Sequence, residues 1–434
     1  MLTYAEKRKR AEIFYTRSAI IQVKAIAQAG KQSRCGGTFF TRGEPHDGID
    51  VGVEKVQSSK IPLWIREIGL TFPARQGGSN RDMKPFDELT RLGRIRRMRQ
   101  LAAAAMTYYG INEARFQLVR QAGNILFRVQ SSDLPSTDSV EGLFEEGQYL
   151  LRVHEPGYQE PEAIELELAW LASMREEANL PVPEPIATQD GRFLLSLNGF
   201  GIPGKRHCSI LRWVKGHSVK NRFQPQHLRA QGRLMARLHN FSTQWQPPAG
   251  GCKRKFDWEG LFQNDVGSGM ANAEAWALLS SLHKEAFAFV AVRIREVMKD
   301  WGQGPDVFGL IHGDLGVDAN LLFWHGEPRA IDFDDSGFGY WVFDLAVALD
   351  ACRDDPAYRL YREALLNGYA EFRSLPERQA EQLELFLAGV QVYWNLWATG
   401  GTYLYPNLLK EYGERIANTA EFVVRYARQN GGLK

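Results

Sequence analysis

Residues 310–345 gather the side chains most able to do chemistry together. His312, Gly313 and Asp314 follow an apolar pair, and Asn320 comes six residues after that aspartate. An apolar triplet, residues 321–323, runs into a turn around His325, Gly326, Glu327 and Pro328. Ala330 and Ile331 then deliver Asp332, and a glycine-punctuated loop leads on to Asp344. The pattern reads as a β-hairpin with a carboxylate before its first strand, an amide at that strand's start and a carboxylate after its second. Phosphoryl transfer uses such a set. One carboxylate orients an acceptor hydroxyl, while an amide and a second carboxylate hold magnesium on the phosphates of ATP.

This stretch resembles the catalytic core of the aminoglycoside phosphotransferase and choline kinase family, a branch of the protein-kinase-like fold. The resemblance rests on His312-Gly313-Asp314 and on Ile331-Asp332-Phe333, and it extends less specifically over about residues 90–430. It implies that Asp314 is the catalytic aspartate and that Asn320 and Asp332 are the metal ligands. It also implies that Asp344 anchors the loop after the metal site, and that His312 supports its own loop without transferring protons. One departure stands out. The family places the asparagine five residues after the aspartate, whereas here it is six. The loop 316–319 thus carries an extra residue, and Asp318 becomes an additional candidate for metal contact. An insertion in a loop is tolerable.

Other elements must hold these groups. Residues 89–109 have the periodicity of an amphipathic helix that ends at Gly110. Residues 114–119 and 125–129 read as strands around a turn at 120–124, a hairpin that in a kinase-like fold covers the nucleotide phosphates through Gly123 and Asn124. With a single glycine in it, a plain β-turn is the alternative. After a polar, acidic insert at 131–147 comes a strand, 148–153, whose Arg152 is a charge in apolar surroundings and needs a partner. The resemblance makes Arg152 the phosphate clamp, with a helix glutamate beside it, and a guanidinium suits bidentate phosphate contact. On the predicted helix 161–175 both Glu165 and Glu167 compete for that role, and the family pattern favours Glu167. Three alternating prolines make residues 180–185 an extended connector, and a strand is predicted over 193–197. The strand 209–214 resembles the family's inter-lobe hinge, where Leu211 and Trp213 would meet the adenine. A plain edge strand is the other reading.

Beyond the turn at Lys215 and Gly216, helices are expected over 226–241 and 274–299, joined by a Pro/Gly/Trp-rich connection. His239 on the first of them reads as a hydrogen-bonded core residue. After Asp344 the chain reads as helical throughout, over 345–352, 356–373, 376–398 and 405–428. Tyr393, Trp394 and Trp397 form a stripe that is either a stacking wall for a cationic or planar acceptor or simple helix packing.

The chain has 434 residues, 44% of them hydrophobic and 24% charged, which is the composition of a globular protein with ample core. Its four cysteines show no CxxC pair, so neither a disulfide framework nor a zinc site is indicated, in keeping with a reducing cytoplasm. No apolar run approaches the ~20 residues of a membrane span. The net charge of +2 is unevenly spread: residues 1–82 hold 14 Lys/Arg against 8 Asp/Glu, or +6, leaving −4 for the rest. From residue 31 to 81 the composition is too poor in hydrophobics to repay ordering, so a disordered extension is expected rather than a nucleic-acid or membrane arm. The family-like pattern starts abruptly at Met83, which marks that methionine as a candidate start.

The expectation is therefore an α+β, bilobal, protein-kinase-like fold. Residues 83–213 would form a small β-rich nucleotide-binding lobe and 214–434 a larger, mainly helical catalytic and acceptor lobe. The resemblance implies a magnesium-dependent transfer of the γ-phosphate of ATP to a small-molecule hydroxyl by a cytoplasmic monomer or homodimer that binds neither nucleic acid nor membrane. A protein Ser/Thr kinase of the stress-response type is one alternative, and a non-catalytic nucleotide sensor is the other.

Overall fold

The computed structural model describes residues 84–122, 124–134, 142–248, 250–251, 253–264, 270–404 and 406–433. The expectations for residues 1–82 and for Gly123 lie outside them. The chain divides between Arg94 and Ile95. In the first unit the described residues make a 3-10 turn at Phe86–Glu88. The helix Arg91–Tyr108 begins in the first unit, and the second unit carries the rest of that helix and every later element.

Helix α1 (Arg91–Tyr108) buries Met98, Leu101, Ala102, Ala105 and Met106, the i, i+3, i+4 rows of one face. An antiparallel sheet comes next, ordered β1 (Arg115–Ala122), β2 (Asn124–Gln130), β3 (Phe144–Val153), β6 (Ile202–Val214), β4 (Pro185–Ile186), with β5 (Leu195–Gly199) also on β6. Three of these strands outrun their sequence signal. β1 continues to Ala122, which pairs with Asn124, where the sequence leads one to expect a turn over 120–124. β3 starts at Phe144, inside the expected insert, because Phe144 pairs with Val214 across the sheet. β6 starts at Ile202 because it pairs first with β5 and then with β3 and β4. Helix α2 (Pro161–Ala178) carries proline at its first turn and ends at Asn179, whose left-handed φ of 47° stops it.

The larger lobe is mainly helical: α3 (Pro225–Gln244), α4 (Ser281–Trp301), α5 (Trp341–Leu349), α6 (Tyr358–Ala370), α7 (Leu383–Leu404) and α8 (Leu409–Gln429). The connection before α4 is less irregular than its composition suggests. It contains a strand, β7 (Lys255–Phe256), and a short helix at Trp258–Phe262. β7 runs parallel to β11 (Gly337–Tyr340), which pairs antiparallel with β8 (Phe308–Ile311). A separate hairpin joins β9 (Leu321–Trp324) to β10 (Glu327–Ala330). Its two-residue turn is His325-Gly326, both with positive φ, the conformation that matches strand twist. Helices α3 and α6 approach closely through Gly232 and Gly368, where a Cβ would overlap the carbonyl oxygens of Leu365 and Arg229. One apolar core runs from α2 into α8 and includes Trp170, Phe256, Phe333 and Trp341. Among the described residues no helix is long and apolar enough to cross a membrane.

Candidate active site

β8 leads into His312, Gly313 and Asp314. Gly313 has φ 79°, and a Cβ there would lie 2.7 Å from the ring of Phe256, so only glycine fits. His312 donates from Nε2 to the carbonyl of Ile331 (3.0 Å), and its Nδ1 accepts the N–H of Asp314 (3.3 Å). Its role is structural, with burial holding its pKa below the usual value. Asp344 is buried on α5. It accepts the backbone N–H of Gly313 at 2.8 Å, that of His312 at 3.4 Å, and His239 Nε2 at 3.0 Å. His239 Nδ1 in turn meets the Tyr369 hydroxyl at 2.9 Å. Burial alone would raise the Asp344 carboxyl, but the hydrogen bond from His239 and the neighbouring charges hold it below its ordinary value. The family resemblance implies that Asp344 anchors the loop after the metal site. Its bonds instead go to the loop carrying Asp314.

Asn320 stays beside Asp314 despite the extra residue. Its amide donates to the Asp314 carbonyl at 2.9 Å and to Oδ2 at 2.8 Å. The insertion is absorbed by a tight turn, in which Gly316 N–H bonds Asp314 O and Ala319 N–H bonds Gly316 O. With the amide nitrogen turned to Asp314, the amide oxygen of Asn320 remains available as a donor to a cation.

Asp332 follows β10 with left-handed backbone (φ 64°, ψ 63°), at the entry to the turn Phe333–Asp335. Three carboxylates in four positions crowd this turn. Asp334 accepts from Asn124 Nδ2 (3.2 Å), and Asp335 accepts from Tyr158 (2.9 Å) and Arg254 (2.6 Å). Desolvation first, and then Asp335 and Asp332, push Asp314 well above the usual carboxylate range. Desolvation and the same two-way repulsion do this to Asp334, and desolvation raises Asp332 against the pull of Arg152. The acidic side chains gathered here are all oxygen donors. That donor set fits magnesium, which takes oxygen ligands and keeps places for phosphate. Among the described residues no three acidic, His or Cys side chains form a ready-made cage, so such an ion would rely on Asn320, Asp332 and ligands from outside the chain.

Arg152 and Glu167 meet at 2.6 Å, and both are fully buried. Glu165 is on the exposed side of α2. Arg152 Nε is buried without a hydrogen-bond partner, which suits an anionic oxygen brought by a ligand. Lys253 is a buried cation that pattern reading missed, because it sits in the irregular connection. Its ammonium lies 3.8 Å from the second oxygen of Glu167 and donates to Ser336 Oγ at 2.6 Å.

The other nucleotide-side expectations fare unevenly. Gly123 is not among the described residues. Asn124 is buried with both ends of its amide engaged, to Asp334 and from the Glu155 N–H. It ties the hairpin to the turn that follows Asp332. Leu211 is 4% exposed, and its side chain belongs to the apolar core. Trp213 is half-buried with the guanidinium of Arg128 4.5 Å over its ring. The sequence also gave no sign of Arg329, whose guanidinium donates to the carbonyls of Gly142, Leu143 and Lys215 and so fastens the β9–β10 hairpin to the inter-lobe link. In the aromatic stripe, Tyr393 is buried, while Trp394 and Trp397 are half-buried and packed edge to face at 5.8 Å.

Residues 136–380, more than half of the chain, match the model of the phosphotransferase enzyme family. The chain is 28% identical over 250 residues to a homoserine kinase of Methylobacterium nodulans, covering 56% of this chain and 70% of that protein. It is 21% identical over 253 residues to an uncharacterized protein of Synechocystis sp., covering 54% of this chain but only 63% of that protein's length. Among solved structures, a microcompartment-associated aminopropanol kinase superposes with a TM-score of 0.60 at 24% identity, over 77% of this chain and 99% of that one. That likeness shows the fold, which is bilobal and protein-kinase-like.

Proposed function

We infer the reaction from one premise: the chain belongs to the phosphotransferase enzyme family. The reading is a kinase that moves the γ-phosphate of ATP to a hydroxyl group of a small molecule. The observation that carries it is the 2.8 Å contact of Asn320 with Asp314, beside an acidic turn that begins at Asp332. Asp314 would then be the catalytic carboxylate, with Asn320 and Asp332 as the oxygen donors to a cation.

Asp314 would accept the acceptor's hydroxyl proton as that oxygen bonds to the γ-phosphorus. The bond from γ-phosphorus to the bridging oxygen breaks, and ADP leaves. Asn320 and Asp332 would hold magnesium, which supplies positive charge to the phosphate oxygens. Arg152, fixed by Glu167 and with its Nε unpartnered, would hold the phosphates upstream of the transferred one. Positioning and electrostatics carry such chemistry, and no covalent enzyme intermediate is required. The relative named homoserine kinase supports a small acceptor.

The test is ATP consumption against a panel of small hydroxyl compounds and casein, with the product identified as a phosphate monoester by phosphorus NMR. Transfer to casein alone would replace the small acceptor with a protein one. ATP binding without turnover on any acceptor would reduce the chain to a nucleotide sensor.

A further inference from the structure

Most of the cations around the acidic turn are committed to partners inside the protein. Arg152 meets Glu167 at 2.6 Å, Arg254 meets Asp335 at 2.6 Å and Lys253 donates to Ser336 Oγ at 2.6 Å. None of the three side chains is more than 16% exposed. Arg120, on β1, is different. Its side chain is 59% exposed, and among the described residues its one ion pair is an approach of 4.0 Å to Asp332 Oδ2. That distance is too long for a hydrogen bond, and so exposed a pair contributes little to stability. Arg120 is therefore the cation of this group that keeps its donors for a ligand.

A break in β1 sets its direction. Leu118 pairs with Phe127 but Arg120 pairs with Leu126, so Val119 is the extra residue of a β-bulge. In unbroken register Arg120 would lie opposite Ile125, on the side of the sheet where Phe127 is buried. The bulge turns it to the other side. Leu126 in turn pairs with Arg152. Arg120, Leu126 and Arg152 thus form one row across three strands, and the two arginines share the face turned to Glu167 and Asp332. Asn124 holds the same hairpin to the acidic turn through its 3.2 Å bond to Asp334.

On the kinase reading above, we propose that Arg120 is a further catalytic residue, which donates hydrogen bonds to the γ-phosphate oxygens of ATP during transfer. Its guanidinium lies beside Asp332, the carboxylate assigned to the metal on those same phosphates. A phosphate offers its fork of donors a stronger partner than a carboxylate 4.0 Å away. The acceptor oxygen bonds to the γ-phosphorus and the bond to the bridging oxygen breaks, while Arg120 neither gains nor loses a proton. It offsets charge on the oxygens in transfer, which raises the rate of the chemical step.

Titration calorimetry of the full chain with ADP and with AMP-PNP, both with magnesium, separates the γ-phosphate from the rest of the nucleotide. Arg120→Met should weaken AMP-PNP at least about ten-fold more than ADP, the scale of one charge-assisted hydrogen bond. Arg120→Lys should recover part of that difference. With the best acceptor of the panel above, Arg120→Met should also lower kcat at least about ten-fold, on the same scale. Equal weakening of both nucleotides, or of neither, overturns the proposal, as does an unchanged kcat, and the kinase reading survives each of these results. A wild type that phosphorylates nothing on the panel removes the kinase reading and the catalytic role together.

Discussion

Lys253→Met isolates the cost of a buried charge that the site has chosen to keep. The Lys253 ammonium is fully enclosed, 3.8 Å from Glu167 and 2.6 Å from Ser336 Oγ, with the carbonyls of Phe333 and Asp334 at 3.4 Å. Burial outweighs these contacts and lowers its pKa from 10.5 to about 8. That lowering corresponds to ~3 kcal/mol. Below about pH 8 the folded protein bears the whole cost. Between about 8 and 10.5 the unfolded chain still holds the proton that the folded chain has shed, so stability rises with pH. Methionine has no such proton. Urea unfolding of both proteins from about pH 7.5 to 10.5 should therefore show wild type gaining ~3 kcal/mol on the variant, with all shared titrations cancelling. In the same window wild-type turnover should decline, because neutral Lys253 no longer helps Arg152 fix Glu167. Parallel stability curves would refute the reasoning, as they would mean that Lys253 is solvated or keeps an ordinary pKa.

Asp314→Asn should lower turnover by at least ~100-fold while leaving the melting temperature and ATP affinity close to wild type, measured by coupled kinetics and nucleotide titration. Near-normal turnover in the folded variant would remove Asp314 from the mechanism. Asn320→Ala and Asp332→Ala should each weaken the magnesium dependence of turnover, whereas Asp318→Ala should leave it unchanged. A lost magnesium response in Asp318→Ala with a normal one in Asn320→Ala would show that the extra loop residue has displaced the asparagine. Gly232→Ala should cost roughly 1–3 kcal/mol by forcing α3 from α6, since its Cβ would overlap the Leu365 carbonyl. Gly401→Ala, in open space on α7, should be neutral or slightly stabilising, and calorimetry of the pair separates close packing from helix propensity.

The parts legible in the sequence were those whose meaning is local. The two carboxylates and the amide around the β9–β10 hairpin are fixed by spacing within twenty residues, and the turn His325-Gly326 is fixed by its own backbone preference. Residues alone leave Glu165 and Glu167 competing, and only the family pattern favours Glu167. Helix positions two apart point about 200° apart, and Glu167 is the one on the buried side, 2.6 Å from Arg152. The extents of β3 and β6 were not legible. A strand continues for as long as a neighbour offers it hydrogen bonds, and the neighbours of Phe144 and Ile202 are set by the assembled sheet.

What stayed hidden in the site has one physical form: a polar group satisfied by a partner far away in the chain. Asn124 to Asp334, Tyr158 to Asp335, Lys253 to Ser336 and Arg329 to Gly142 each span tens to hundreds of positions. Burial forces every such group to find a partner but does not say which, since any carbonyl or carboxylate in reach meets the requirement. These contacts share a consequence. Asn124 ties the nucleotide-side hairpin to the Asp332 turn, Lys253 ties that turn to Glu167, and Glu167 holds Arg152. The groups proposed to meet the phosphates and the metal are therefore coupled through hydrogen bonds and an ion pair that involve neither. Substitutions at Asn124 or Lys253 should disturb nucleotide handling without touching Asp314, Asn320 or Asp332 themselves.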